Sequence, residues 1–347
     1  MKFPRDRGTS LNSHVKAREG DFIETVEGLI FDVKGLIHPP NRIISFLRYI
    51  PSVDGERERN GVRYKKIYDL EERWRFLRKH FPNYICFDAY FGRELQSVPS
   101  ENVRMHYNPK MKLAELVKKT LGGSLEGDAV DLARTLEENT KVEVTNFGIS
   151  GSILVDLQES DSDIDLIIYG VNASKSVHKS LRELLSAAKT FRPYDLNDLK
   201  HLYRSRSMEN AMTFDDFCVH EQRKVLEGSF RGRDYFIRCI RDWNEIQESY
   251  GSFTIRRIGK AKIHAVVSDD SESIFTPCIY PVEHVEQIEN EHSSPKRILS
   301  FRGRFCEQAK EGEKVIAFGE LEEVVTEKDE FSQLVVGESP HDFMVRI

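Results

Sequence analysis

The sequence predicts an α+β protein in which a central unit of strands and helices is flanked by two β-rich segments. Residues 111–140 repeat apolar side chains at helical spacing, and short apolar strands alternate with a helix after that point. Residues 19–110 and 251–347 instead consist of short β-branched stretches separated by turns. A chain of 347 residues is long enough for two or three domains.

The N-terminal part is predicted to contain a tail and a basic, β-rich domain. Residues 1–18 are basic but lack the apolar stretch of a secretory signal, so we expect a flexible tail. Residues 19–110 form the domain, with a strand expected at 43–50. Asp69 is expected to cap a helix over 70–79, because its carboxylate can accept hydrogen bonds from the first free N–H groups of that helix.

Residues 111–250 are predicted to form the central domain, which ends in a helical extension. The elements expected after its first two helices are strands at 142–147 and 164–169, a helix at 174–189 and a strand at 191–196. Residues 197–249 are rich in arginine and are predicted to form two or three helices. The last domain, 251–347, is expected to be a β-barrel or a β-sandwich.

The amino-acid composition excludes several classes of protein. No stretch approaches the roughly 20 apolar residues of a membrane span, and the five cysteines include no C-x-x-C pair. We therefore expect a cytoplasmic protein without membrane association, zinc site or disulfide framework. The net charge is −6, yet residues 1–120 carry 23 Lys and Arg against 16 Asp and Glu, an excess of +7. This basic third favours a polyanionic partner such as RNA, and chance solvation is the alternative.

The candidate functional residues lie between positions 147 and 170. A short strand is followed by Gly151 and Ser152, a pair that lets backbone N–H groups and a hydroxyl approach a phosphate closely. Asp163 and Asp165 then open an apolar strand. Because residues two apart in a strand point to the same face, both carboxylates should project together. Adjacent carboxylates repel unless a cation lies between them, and their hard oxygens suit Mg²⁺ or Mn²⁺.

This stretch resembles the nucleotidyltransferase superfamily typified by DNA polymerase β. Ten residues separate Ser152 from Asp163. The superfamily signature is Gly followed by Gly or Ser, a gap of about that length, and then Asp-apolar-Asp/Glu-apolar, which Asp163-Ile164-Asp165-Leu166 matches. The preceding Ser162 fits the form common among small members. The likeness covers residues 147–170 closely and residues 110–210 in element order. The chain is also similar to uncharacterised archaeal proteins described as predicted nucleotidyltransferases.

The resemblance implies a metal-dependent nucleotidyltransferase with a two-metal mechanism. Asp163 and Asp165 would act as catalytic ligands of a Mg²⁺ (or Mn²⁺) that bridges the triphosphate. Gly151 and Ser152 would bind the β- and γ-phosphates. The acceptor hydroxyl would attack the α-phosphorus in line, and pyrophosphate would leave.

The superfamily uses a third carboxylate on a later strand, and Asp195 is the expected residue, as metal ligand or base. Asp198 and Asp156 are lesser alternatives, and the other interpretation of Asp195 is that it caps the next helix. Arg204 and Arg223 are the arginines nearest this site in sequence, so we expect them to contribute to nucleotide binding.

Three functions fit these residues. The first is an enzyme that transfers a nucleoside monophosphate from an NTP such as ATP to an acceptor hydroxyl, with RNA as the favoured acceptor. The second is the same transfer to a protein or a small molecule. The third is a catalytically degenerate nucleic-acid-binding or scaffold protein. Basic residues interleaved with Tyr64 and Tyr68 favour contact with single-stranded nucleic acid, and a solvated hairpin is the alternative.

Overall fold

The computed structural model describes residues 16–187, 189–206, 212–289 and 294–347. Its strands form three sheets that follow one another along the chain. Of the tail predicted for residues 1–18, all but the last three residues lie outside the described ranges. Ala17 and Arg18 are buried, and Arg18 Nη1 donates to Asp242 Oδ1 at 2.9 Å. Packed structure therefore begins before the predicted boundary.

The N-terminal sheet is built from residues 22–107. Its strands are β1 (Phe22–Thr25), β2 (Ile30–Val33), β3 (Arg42–Pro51), β4 (Arg57–Arg59), β5 (Val62–Lys66), β6 (Ile85–Asp88), β7 (Arg93–Pro99) and β8 (Val103–Tyr107). They pair in the order β4-β5-β3-β2-β1-β8, with β7 on β3 and β6 on β7. Helix α1 (Leu70–His80) follows β5, and its predicted cap is confirmed: the Asp69 carboxylate accepts a hydrogen bond from the Glu72 N–H at 2.7 Å.

In the central domain, helices and strands alternate along the chain. The elements are α2 (Pro109–Leu116), α3 (Leu125–Thr140), β9 (Phe147–Ile149), α4 (Gly151–Leu154), β10 (Ile164–Tyr169), α5 (Val171–Ala187), β11 (Phe191–Arg192), α6 (Leu196–Ser205), α7 (Phe214–Glu221), β12 (Glu227–Phe230) and β13 (Arg233–Ile240). The strand order is β11-β12-β13-β10-β9. Strands β10 and β13 are parallel neighbours, and β10 runs antiparallel to β9.

The helical prediction for the whole arginine-rich segment was wrong, because its second half is the β12–β13 hairpin. The two strands meet at Arg231 and Gly232, whose φ values of 53° and 84° are those a tight two-residue hairpin turn requires. In β13 the buried residues Tyr235, Ile237 and Cys239 alternate with half-buried ones. That period of two indicates a strand.

The C-terminal sheet closes into a barrel. Its strands are β14 (Phe253–Val267), β15 (Cys278–Glu289), β16 (Pro295–Ser300), β17 (Lys314–Thr326), β18 (Glu330–Val335) and β19 (Phe343–Arg346). Pairing runs β14-β15-β16-β18-β17 and returns to β14, while β19 adds to β17. The barrel and the central sheet share one apolar core, which contains Ile164 and Leu166 of β10 and Ile263 and Leu334 of the barrel.

The mixed content of sheets and helices confirms the α+β fold class. Within the described ranges, no helix is both long and apolar enough to cross a membrane.

Candidate functional site

Asp163 and Asp165 lie at the start of β10, on the face that points away from the shared core. Ile164 and Leu166, which alternate with them, are completely buried in that core. Asp165 is half-buried and Asp163, immediately before the strand, is exposed. The alternation turns both carboxylates toward the same side of the sheet, as the sequence pattern predicts.

Gly151 brings the backbone against this carboxylate pair. Its φ is +61°, and Asp165 Oδ2 lies only 1.8 Å from the point where a Cβ on residue 151 would be. The Ser150 N–H donates to the Asp165 carbonyl at 2.8 Å and ties the turn to the strand. The next residue, Ser152, is buried at 5% exposure. Any side chain at position 151 would therefore displace the carboxylate.

The Asp165 carboxyl group has a pKa raised from 3.8 to about 7. Burial is the largest cause because it disfavours the charged form, and the negative charge of Asp163 adds to it. The positive charges of Arg238, Lys66 and Arg48 oppose the rise. These five side chains therefore form one electrostatic unit around the start of β10.

Lys66 reaches this unit from the N-terminal sheet. It lies opposite Tyr49 in the pairing of β3 with β5. Directly opposed residues share a face, and the face of Tyr49 packs against Leu154 and Leu157 just after the Gly151 turn. The register thus directs Lys66 toward the central sheet, whereas Lys65 points to the opposite face.

Burial lowers the pKa of the Lys66 amine from 10.5 to about 8. The neighbouring charges of Arg48 and Arg57 lower it further, while those of Asp163 and Asp165 oppose them. Arg48 lies on the adjacent strand and is also half-buried. The N-terminal sheet therefore contributes positive charge to the side of the site that faces the carboxylates.

Two arginines of β4 hold the segment between the glycine turn and the carboxylates. Arg57 Nη1 donates to the Leu157 carbonyl at 2.6 Å, and Arg59 Nη1 donates to the Val155 carbonyl at 3.1 Å. Arg57 also forms an ion pair with Glu159 at 3.1 Å. The N-terminal sheet is thus bonded directly to the loop that connects the two halves of the motif.

Strand β13 brings a further carboxylate beside the pair. In the parallel register Ile164 lies opposite Tyr235, so Asp234 comes next to Asp163. Burial raises the pKa of Asp234, and the charges of Asp198 and Asp163 raise it further. Asp234 was missed from the sequence because its segment was expected to be helical, and the period-two burial of β13 is the signal that identifies it.

Asp195 caps helix α6. Its Oδ1 accepts hydrogen bonds from the N–H groups of Asn197 at 2.8 Å and Asp198 at 3.0 Å. These backbone hydrogen bonds are the main reason that its pKa is lowered, and Arg192 lies 3.4 Å away. The strand expected at 191–196 ends at Arg192, so the prediction of a strand-borne Asp195 was wrong. The alternative interpretation, a helix cap, is the one observed.

The two arginines expected to bind nucleotide do not contact the carboxylate pair. Arg223 is held by Glu313 of the C-terminal barrel, with Nη1 and Nη2 at 2.9 and 3.0 Å from the two carboxylate oxygens. It lines a cavity of about 220 Å³ together with Lys175 and Lys310. Arg204 is exposed on α6. The cations near Asp165 are instead Lys66, Arg48 and Arg238, which come from other segments.

Within the described ranges, no group of three or more His, Cys, Asp or Glu side chains is arranged to hold a metal ion. Asp163 and Asp165 therefore offer two carboxylates, with Asp234 on the next strand. Two carboxylates do not fit a structural zinc site, which needs four protein ligands. They do fit Mg²⁺, which binds proteins through one or two carboxylates and completes its shell with substrate phosphates and water.

The fold and this site together define an α+β protein with a carboxylate pair and a glycine turn at the start of one strand of its central sheet. The chain is 32% identical over 342 residues to the uncharacterized protein MJ1086 of Methanocaldococcus jannaschii, covering 95% of this chain and 98% of that protein. It belongs to the same family as that protein. No protein-family model matches the chain. No solved structure matches it either.

Proposed function

We propose that this protein is a metal-dependent nucleotidyltransferase that moves a nucleoside monophosphate from an NTP to a hydroxyl of RNA. The observation that carries the proposal is the close fit of Gly151 against the Asp165 carboxylate, with Asp163 on the same face. This fit joins the two halves of the motif at one point. The resemblance of that motif to the polymerase β superfamily supplies the reaction type.

Asp163 and Asp165 would hold Mg²⁺ (or Mn²⁺), which would neutralise charge on the triphosphate and increase the acidity of the attacking hydroxyl. Gly151 and Ser152 would orient the phosphates. The acceptor hydroxyl loses its proton to water as its oxygen forms a bond to the α-phosphorus, the bond from that phosphorus to the bridging oxygen breaks, and pyrophosphate leaves. We assign the third carboxylate of the reaction to Asp234, because Asp195 is occupied as a helix cap.

The choice of RNA as acceptor rests on charge. The basic excess lies in residues 1–120, which contain 23 Lys and Arg and 16 Asp and Glu. Arg57 and Arg59 bond that part of the chain to the loop beside the carboxylates. A polyanion attracted to this part of the chain would thus be held near the reacting groups. Such an enzyme would act in the cytoplasm, where its five cysteines would stay reduced.

The test is transfer of label from each of four α-labelled NTPs to total RNA and to total protein in Mg²⁺. The variants are Asp163→Asn/Asp165→Asn and, as matched control, Asp161→Asn, an exposed carboxylate of the same loop. We expect label in RNA with the wild type and the control only. Label in protein alone would keep the transfer and overturn the RNA acceptor. No label with any nucleotide would contradict the proposal.

A further inference from the structure

Lys66 and Arg48 converge on one aromatic ring of the N-terminal sheet. Lys66 Nζ lies 4.7 Å from the centroid of the Tyr68 ring, and the Arg48 guanidinium carbon lies 6.0 Å from the same centroid. Tyr68 is 65% exposed. The two cations therefore lie close together on neighbouring strands of the sheet, and both act electrostatically on Asp165 of β10.

Neither cation has an ion-pair partner within the part of the chain that the structure describes. Their neighbours do: Arg57 pairs with Glu159, Arg59 with Glu24, and Arg238 with Glu19. Lys66 and Arg48 are half-buried, and placing a cation away from water without a counterion is unfavourable. The arrangement is therefore suited to receive an anion from outside the chain.

The position of the unpaired cations indicates which anion would fit. Asp163 and Asp165 act electrostatically on Lys66, yet neither forms an ion pair with it. The two carboxylates, which suit a hard metal cation, therefore lie near Lys66 and Arg48, which suit a polyanion, but are not in ion-pair contact with them. A metal-bound polyphosphate carries both complementary charges, since its metal meets carboxylates and its free oxygens meet cations.

We propose that Lys66 and Arg48 bind the triphosphate of the nucleotide substrate, so that the N-terminal sheet supplies the anion-binding half of the site. This inference rests on the proposed function for the identity of the ligand. The phosphate-binding cations of the site would then come from a segment about 100 residues before the carboxylates rather than from the helices that follow them.

Strand β5 also provides the matched control residue, Lys65. Lys65 is the adjacent lysine, but it points to the opposite face and pairs with Glu72 at 2.9 Å. Substitution of Lys65, Lys66 or Arg48 by methionine removes the charge and keeps most of the aliphatic stem. Thermal melting of each variant establishes that it is folded before binding is compared.

The experiment is calorimetric titration of the full chain with ATP, AMP and inorganic tripolyphosphate, with and without Mg²⁺. We expect Lys66→Met and Arg48→Met each to weaken binding of ATP and tripolyphosphate by about tenfold to a hundredfold, since each removes a charge-assisted contact. AMP, which lacks the β- and γ-phosphates, should bind with little change. Lys65→Met should behave as the wild type.

The result that would overturn the inference is equal affinity of all three variants and the wild type for ATP and tripolyphosphate. A wild type that binds neither ATP nor tripolyphosphate would overturn it as well. Failure of the proposed function can be distinguished from failure of this inference, because in that case label transfer would be absent while triphosphate binding through Lys66 and Arg48 remained. Asp163→Asn/Asp165→Asn should keep metal-free tripolyphosphate binding, since it removes only negative charge.

Discussion

Asp165 Oδ2 occupies the space in which a Cβ on residue 151 would lie, 1.8 Å from that point. The turn that begins the motif and the strand that ends it are therefore fitted to one another through a glycine and a carboxylate. This contact explains why the spacing between the two halves of the motif matters: the residues between them form a loop that returns the chain to the same place.

Replacing this glycine by alanine should reduce both stability and transfer. A non-glycine residue at φ +61° costs about 1–2 kcal/mol, and displacement of the Asp165 carboxylate adds to that cost. The matched control is Gly123→Ala, where φ is +71° but nothing lies within 4 Å of the added methyl. Denaturant unfolding should show a larger loss for Gly151→Ala than for Gly123→Ala, and Asp165→Ala should relieve part of it in the double variant. Equal losses of unfolding free energy in Gly151→Ala and Gly123→Ala would contradict a close contact between Gly151 and Asp165.

Arg57→Met should lower the melting temperature, because it leaves the Leu157 carbonyl without its donor. Arg57 is 7% exposed, and a buried acceptor that loses its partner costs about 1–3 kcal/mol. Arg63→Met is the control, since Arg63 is exposed and donates to the carbonyl of Val53, a turn residue, at 3.2 Å. Equal melting of the two variants would show that this bond does not stabilise the loop.

Lys66→Met should stabilise the unliganded protein near pH 7 by roughly 1–2 kcal/mol, because a half-buried unpaired charge is removed. The pKa of Lys66 is about 8 when folded and 10.5 when unfolded, with Arg48, Arg57, Asp163 and Asp165 as its charged neighbours. Between those two pKa values Lys66 holds its proton in the unfolded chain but not in the folded chain, so its contribution to wild-type stability rises with pH.

The gain from Lys66→Met should therefore shrink as the pH is raised from about 8 toward 10.5, and unfolding curves at pH 7 and pH 9.5 measure this directly. Lys65→Met is the control at pH 7, where it should not stabilise the protein, because Lys65 is exposed and paired with Glu72. A Lys66→Met variant less stable than the wild type at pH 7 would contradict the account of an uncompensated charge.

Asp234→Asn should affect mainly the transfer rate, and Asp195→Ala should affect mainly stability. Asp234 lies beside Asp163 on the neighbouring strand, so its amide variant should lower the transfer rate by about a hundredfold or more with little change in melting. Asp195 caps α6, so Asp195→Ala should lower the melting temperature and leave transfer nearly intact. Transfer that depends on Asp195 and not on Asp234 would reverse the assignment.

The carboxylate pair could be predicted from the sequence because its geometry is local. Two aspartates that alternate with Ile164 and Leu166 must share a face once the apolar residues are buried. The glycine turn was also predicted, but as a place where a phosphate approaches. Its contact with Asp165 depends on how the loop returns, and the spacing alone does not determine that path.

The remaining features depend on contacts between distant segments. Asp234 joins the pair only because β13 lies parallel to β10, and the arginines along that segment obscured the period-two burial of its apolar residues. Lys66 reaches the site through the packing of Tyr49 on Leu154 and Leu157, about a hundred residues later in the chain. The period of two can identify β13 as a strand, but no local sequence signal shows which distant segment lies beside the carboxylate pair.

The most direct test of the central claim is release of pyrophosphate, because every nucleotidyl transfer forms it whichever nucleotide and acceptor are used. The purified chain would be incubated with the four NTPs, Mg²⁺, total RNA and total protein, and pyrophosphate would be measured over time. We predict release that requires Mg²⁺, persists in Asp161→Asn and disappears in Asp163→Asn/Asp165→Asn. Release that is equal in all three proteins, or absent from the wild type, would contradict the account.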